Sequence, residues 1–242
     1  KIIMKKNKNV IVFGGSGFIG SHIADIFSQK KFNVFIFDKK ESQWLKNNQI
    51  FIKGDILDKN QVNKSLKNME YVFHFAGISD IQEADDNPTN TFDLNVLGTL
   101  NVINGCIKNN IKRLVFASTI YVYSNAGGFY KTSKQISELL IKTYNEKYNL
   151  SFTCLRFGSI YGRRSPKTNF IYNVIHQALT KEKMERKGDG EEIREYIHVQ
   201  DVADICLQII NNGYKNKTYI ITGSRSLKIK LFLEIIWVKL ID

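Results

Sequence analysis

No apolar run in this chain of 242 residues is long enough to cross a membrane, so the sequence offers no transmembrane segment. Cysteine is scarce: Cys106, Cys154 and Cys206 lie far apart, without the spacing of metal ligands, and the last two fall in apolar runs. That excludes a cysteine metal centre and a disulfide framework. What it leaves is three reduced, structural thiols in a protein expected in the cytoplasm, with no metal. A signal peptide is missing too, because the opening KIIMKKNKN is basic but has neither an apolar core nor a cleavage site; it reads as a frayed start. The first residue is lysine, which points to a processed or incomplete chain. Nor is there an internal repeat, a low-complexity tract or a flexible linker, so the length favours one large domain or one with a small appendage.

Positive charge, by contrast, is plentiful. Lysine and arginine number 35 against 23 acidic residues, a formal net charge of +12. Such an excess concentrates anionic ligands, nucleic acid among them. Here the lysines are scattered among asparagines and isoleucines along the whole chain, a compositional bias, and no specific nucleic-acid partner is expected.

The chain is organised around residues 10–20, VIVFGGSGFIG. Four apolar residues suit a strand buried on both faces, and Ile19, Ile23, Ile26 and Phe27 then recur at helical spacing. The glycines therefore occupy a strand-to-helix turn. Gly14 permits the tight turn, Gly17 lets backbone N–H groups approach a diphosphate at the positive helix end, and Gly20 lets helix pack on strand. A second apolar run, residues 33–37, ends at Asp38, about 20 residues beyond the glycines. A carboxylate there accepts hydrogen bonds from ribose hydroxyls and repels a 2′-phosphate, which favours NAD over NADP; Lys39 and Lys40 follow and offset part of that repulsion.

Further strands are expected at 50–52, 71–75, 112–117, 151–156 and 219–222, with helices at 58–69, 90–109, 129–148 and 169–181 and a last helix ending the chain. Asp58 suits the cap of its helix. Tyr130 and Lys134 are four residues apart, so they share a helix face, and an ammonium near a phenol lowers its pKa from about 10. The pair makes a proton shuttle. Arg163 and Arg164 either add charge to a site or stand exposed in solvent.

The G-x-x-G-x-x-G spacing, Asp38, the strand end ASTIYVYS, the Tyr130-x-x-x-Lys134 pair, RFGSIYG and IREYIHVQDVA together resemble the extended short-chain dehydrogenase/reductase family, in its NAD-dependent epimerase/dehydratase branch. The resemblance runs over residues 10–222. It implies an α/β fold, a doubly wound parallel sheet of Rossmann type with strand one central, and a small C-terminal substrate lobe that ends early. The NAD-binding core would span 8–160 and the substrate lobe 161–242, with about 197–222 returning to the sheet.

For the site, the resemblance implies NAD held by Gly14, Gly17, Phe18, Ile19, Gly20 and Asp38, by Asp55 and Ile56 at the adenine, and by Phe75, Ala76 and Gly77. Asn95 would help fix the active-site lysine through backbone and water. Thr119, Tyr130 and Lys134 would be catalytic, the last two also touching the cofactor. Ser159 stands where relatives place an asparagine on the substrate diphosphate, and Arg194 takes the place of a diphosphate-binding arginine. His198 and Asp201 would be structural. Ile120 and Tyr121 occupy the positions where 4,6-dehydratases carry Asp-Glu and decarboxylases the glutamate. What remains implies a nucleotide-sugar 4-epimerase, a homodimer through helices around 92–107 and 136–144. An NAD(P)-dependent reductase or dehydrogenase, and a non-catalytic dinucleotide-sensing or RNA-associated protein, stay open beside it.

Overall fold

Val10, Ile11, Val12 and Phe13 are fully buried, as expected of a strand covered on both faces. They belong to β1 (Asn9–Phe13), and the turn after it leads into α1 (Phe18–Gln29). The computed structural model describes residues 8–181, 183–186 and 188–241; the opening segment read as a frayed start lies largely outside them.

The chain continues through β2 (Asn33–Asp38), β3 (Gln49–Lys53), α2 (Lys59–Ser65), β4 (Tyr71–His74), α3 (Ile81–Asp86), α4 (Pro88–Phe92) and α5 (Gly98–Lys108). It then forms β5 (Arg113–Thr119), α6 (Gly128–Tyr148), β6 (Phe152–Phe157), β7 (Ser159–Tyr161), α7 (Phe170–Lys181), β8 (Ile193–His198), α8 (Val199–Ile209), β9 (Lys217–Ile221), β10 (Ser226–Lys228) and α9 (Ile229–Ile241).

Among the described residues, seven strands form one parallel sheet in the order β3-β2-β1-β4-β5-β6-β9. The winding reverses between β1 and β4, and the crevice beyond the strand ends at such a reversal is where an open α/β sheet takes its ligand. The glycine turn follows β1 at that point. A three-stranded sheet, β10-β8-β7, lies apart from it, with β8 antiparallel to β10 and parallel to β7.

Successive strand residues face opposite sides, so β1 feeds two cores. Val10 and Val12 pack with Ile23, Phe27, Val202 and Cys206 of α1 and α8. Ile11 and Phe13 pack with Val102, Ile103, Cys106 and Ile141 of α5 and α6. All three cysteines are buried and free.

Three local expectations need correction. The helix expected at 58–69 stops at Ser65, although Asp58 does cap it, accepting from the N–H groups of Asn60 and Gln61 at 2.9 and 3.1 Å. The single helix expected at 90–109 is interrupted by a wider π-turn, Asp93–Leu97, between α4 and α5. Helix α3, of six residues, and the three-stranded sheet were not anticipated: α3 is too short to show a period, and β8 has only one buried residue, so it lacks the apolar run that marks the strands of the main sheet. Among the described residues, no helix is long and apolar enough to cross a membrane.

Candidate active site

A cleft of about 1130 Å³ runs across the carboxyl ends of the strands from the glycine turn to β8. Gly14, Gly17, Phe18, Ile19 and Gly20 line one end of it. Gly14 has φ +76°, and a Cβ there would lie 2.6 Å from the backbone N of Ala76. A Cβ on Gly20 would meet Gly14 O at 2.2 Å, so these two glycines are demanded by the turn and by helix packing. Ser16 Oγ is buried without a partner beside Gly17. A donor left unmatched at a helix N-terminus fits the oxygens of a dinucleotide diphosphate.

Asp38 closes the turn from below: its Oδ2 accepts from Ser16 N–H at 3.1 Å. With Ser16, Gly17, Lys40 and Trp44 it lines a smaller hollow adjoining the cleft. Asp55 and Ile56 line neither space. Burial works against the Asp55 charge, but the Leu57 N–H and Lys39, 3.1 Å away, outweigh it and hold the carboxyl below its usual range. Lys39 is thereby tied to Asp55.

Phe75 and Gly77 line the cleft, whereas Ala76 and Asn95 stand behind its wall. Asn95 makes several direct hydrogen bonds behind that wall. Asn95 Oδ1 accepts from Ile78 N–H at 2.8 Å, and its amide donates to Ile78 O and Ser133 Oγ, each at 2.9 Å. Its own carbonyl, freed by the π-turn, accepts from Thr99 and Ser137 hydroxyls at 2.5 and 2.8 Å. Asn95 thus pins the β4 turn to the helix that carries Tyr130.

Thr119 ends β5, while Tyr130 and Lys134 lie on α6, and all three are buried side chains that line the cleft. The Thr119 hydroxyl lies close enough to the Tyr130 hydroxyl to pull its pKa down. Thr119 Oγ1 also accepts from Tyr121 N–H at 3.2 Å. Lys134 Nζ donates to Ala117 O at 3.0 Å and lies 5.9 Å from the centre of the Tyr130 ring. The expected lowering of the phenol pKa is overturned in this state: burial pushes Tyr130 up to about 12, against a downward pull from Thr119. Burial likewise lowers Lys134 to about 8. Helical spacing shows which groups are neighbours but not how much water they lose.

One turn beyond Lys134, Glu138 faces Arg156 of β6. Arg156 Nε and Nη2 donate to Glu138 Oε1 and Oε2 at 2.9 and 2.5 Å, and Ser118 Oγ donates to Oε1 at 2.5 Å. Burial would raise the Glu138 carboxyl, but Arg156 and Ser118 hold it below the ordinary range. Glu138 escaped the sequence reading, yet its spacing of four from Lys134 is the signal that would have found it.

At the other end of the cleft lie Ser159 and Arg194. Arg194 Nη1 donates to Tyr121 OH at 3.0 Å, with its guanidinium 5.7 Å from that ring. His198 caps α8, its Nδ1 accepting from Gln200 N–H at 3.3 Å. Two more residues that line the cleft are Trp44, not named from the sequence, and Arg164, left open there between site and solvent, whose side chain is only 18% exposed. Among the described residues no cluster of side chains suits a metal.

With this geometry in view, comparison with known proteins is informative. The model of the "NAD dependent epimerase/dehydratase family" matches residues 10–222. A Methanocaldococcus jannaschii protein provisionally named a UDP-glucose 4-epimerase is 32% identical over 249 residues, covering 94% of this chain and 81% of the relative. The solved UDP-N-acetylglucosamine 4-epimerase of Methanobrevibacter ruminantium is similar with a TM-score of 0.87 and 30% identity, over 95% of this chain and 81% of that one. An Arabidopsis thaliana trifunctional enzyme that includes a UDP-glucose 4,6-dehydratase is 26% identical over 93% of this chain, which spans 38% of it. The matched span takes in the glycine turn, Asp38, the Thr119, Tyr130 and Lys134 group and Arg194, and so the chain belongs to the NAD-dependent epimerase/dehydratase family, with NAD as its cofactor.

Proposed function

We propose that this protein is a nucleotide-sugar 4-epimerase. The observation that carries the reading is the pairing of Thr119, Tyr130 and Lys134 in one cleft with Arg194, while Ile120 and Tyr121, not carboxylates, follow Thr119. That set equips the cleft to move one proton at one hydroxyl. It does not place next to Thr119 the acid and base that an elimination needs.

When bound, NAD supplies a cationic nicotinamide ring, which favours the Tyr130 phenolate, and a reversible acceptor for the hydride of C4. Tyr130 oxygen takes the proton of the sugar 4-hydroxyl. Thr119 holds that oxygen in line, and protonated Lys134 keeps a positive charge beside the phenolate. With that proton removed by Tyr130 and the hydride of C4 taken up by bound NAD, the sugar would become a 4-ketone. Arg194 keeps the diphosphate while the ketone turns over. Tyr130 would then give the proton back to O4 as the ketone is reduced on its opposite face.

The named relatives make UDP-sugars the first substrates to test. Asp38 beside the hollow supports NAD over NADP. Exposed Leu97, Leu139 and Tyr148 on the π-turn and α6 support a homodimer through those faces. The test is incubation with UDP-glucose and with UDP-N-acetylglucosamine, followed by product analysis and NADH absorbance. The expected result is a mixture of 4-epimers with no net NADH. Stoichiometric NADH change would establish a reductase or dehydrogenase instead, and a 4-keto-6-deoxy product a dehydratase. Tight NAD binding with no turnover would leave a binding protein.

A further inference from the structure

Arg164 lies on the turn after β7, yet it reaches the cofactor end of the cleft rather than solvent. Its backbone is left-handed, φ +69°, an uncommon state for arginine. Its Nη2 donates to Asp25 Oδ2 of α1 at 2.9 Å, and its guanidinium lies over the Trp44 ring at 5.2 Å. The remaining Nη1 is buried without a partner. Ser16 Oγ, in the glycine turn that lines the same cleft, is buried and unpartnered as well. Leaving such donors unmatched is costly, and the more so for a charged group.

Charge accounting points the same way. Asp25 Oδ2 serves two cations, Arg164 and Lys46 at 3.0 Å, while its Oδ1 accepts from Gln49 at 3.0 Å. One carboxylate is thus shared between two cations, so it offsets only part of the charge of the Arg164 guanidinium, which lines the same cleft as the glycine turn. We infer that Arg164, braced by Trp44, is a ligand of the cofactor diphosphate, reaching it from the substrate side of the cleft. The inference rests on NAD as cofactor and needs no particular substrate. A guanidinium suits it because one edge can stay on Asp25 while the other takes phosphate oxygens. The cofactor is then gripped from both walls, which suits an enzyme that returns its hydride without releasing NAD.

The experiment compares binding of NADH, ADP-ribose, adenosine and UDP to wild type, Arg164→Met and Arg164→Lys, with ligand-free melting temperatures in parallel. Arg164→Met is expected to weaken NADH and ADP-ribose by roughly 10-fold or more, the scale of a hydrogen bond to a charged group. Adenosine, which lacks the diphosphate, and UDP, held at the other end, should bind as before. Arg164→Lys should recover part of the loss, having the charge without the fork. Equal weakening of adenosine and ADP-ribose would show a structural role only and overturn the inference. So would unchanged ADP-ribose binding, or a loss confined to UDP, which would make Arg164 a substrate ligand. Should Arg164→Met fail to fold, Arg164→Lys carries the same comparison of ligands. A wild type that binds neither NADH nor ADP-ribose would bring down the cofactor reading and Arg164 with it. A wild type that binds both as tightly as its variants would bring down Arg164 alone.

Discussion

Glu138 and Glu191 both pair with cations, one behind the catalytic wall and one at the far edge of the small sheet. The Glu138 side chain is 5% exposed, and its two oxygens are shared by Arg156 and Ser118. That of Glu191 is 46% exposed and meets Lys228 at 2.7 Å and Lys230. Water can replace every partner of the second carboxylate and none of the first. The network around Glu138 joins α6, which carries Tyr130 and Lys134, to β5, which carries Thr119, and to β6. Its rigidity therefore sets the distances of the proton-transfer group. On the opposite wall Arg194 rests on the Tyr121 hydroxyl, which under the proposed reading a substrate diphosphate would displace. One wall is built to stay, the other to exchange.

The sharpest way to break this contrast is Glu138→Ala. Removing the buried carboxylate leaves the partly exposed Arg156 guanidinium and the buried Ser118 hydroxyl unpaired, at a cost of about 3 kcal/mol. Denaturant unfolding of the ligand-free protein measures it. A loss under about 1 kcal/mol would put Glu138 in the same class as an exposed carboxylate. Next comes Tyr130→Phe, which removes a hydroxyl and leaves the ring in place. Turnover should fall by roughly 100-fold or more, the scale of a lost general acid–base, with NADH affinity and melting temperature kept. Full activity in that variant would remove the proposed mechanism.

How much of this was legible before the fold was known depends on how local each signal is. The glycine turn, the strand-helix alternation and the Tyr130 and Lys134 pair are written in consecutive residues, and β1, α1 and α6 appear where expected. Arg164 and Asp25 stand 139 residues apart, and Arg194 and Tyr121 stand 73 apart. No periodicity within a window can pair such residues, so Arg164 remained undecided between a site and solvent. Asn95 was noticed, but its partners depend on the π-turn, which the apolar pattern of residues 90–109 conceals. The sign of the Tyr130 shift was misread for a related reason: neighbour charge follows from spacing, whereas burial follows from everything packed around it.

Lys134 offers a test of what that burial costs. Its pKa falls from 10.5 to about 8 because burial disfavours the cation, so between those values the unfolded chain holds more protons than the fold. The stability contributed by this group therefore rises with pH across the window. Below about 8 both states are protonated and the buried charge is a constant burden. Lys134→Met should thus be more stable than wild type at neutral pH, despite losing the bond to Ala117 O, and the gap should narrow toward pH 10.5. Urea midpoints of both proteins across that range decide it. Parallel curves, or a wild type that is the more stable at neutral pH, would mean that Lys134 is not strained by burial.

The smallest effect belongs to Glu191→Gln. Lys228 and Lys230 hold the Glu191 carboxyl down to about 2, so the sign of its linkage is that of a stabilising carboxylate: present above 4.5 and lost as pH falls through 2. Yet the three side chains are each about half exposed, and exposed pairs are screened by water and salt and give up chain entropy to meet. The variant is expected to unfold at the wild-type urea midpoint in moderate salt. It should also bind NADH unchanged, because Glu191 does not line the cleft, unlike its neighbour Glu192. A midpoint shift as large as that of Glu138→Ala would show that the small sheet relies on its ion pairs as the catalytic wall does. The outer sheet would then have to be counted among the rigid parts that hold the site, and the division between a fixed wall and an exchanging one would fail.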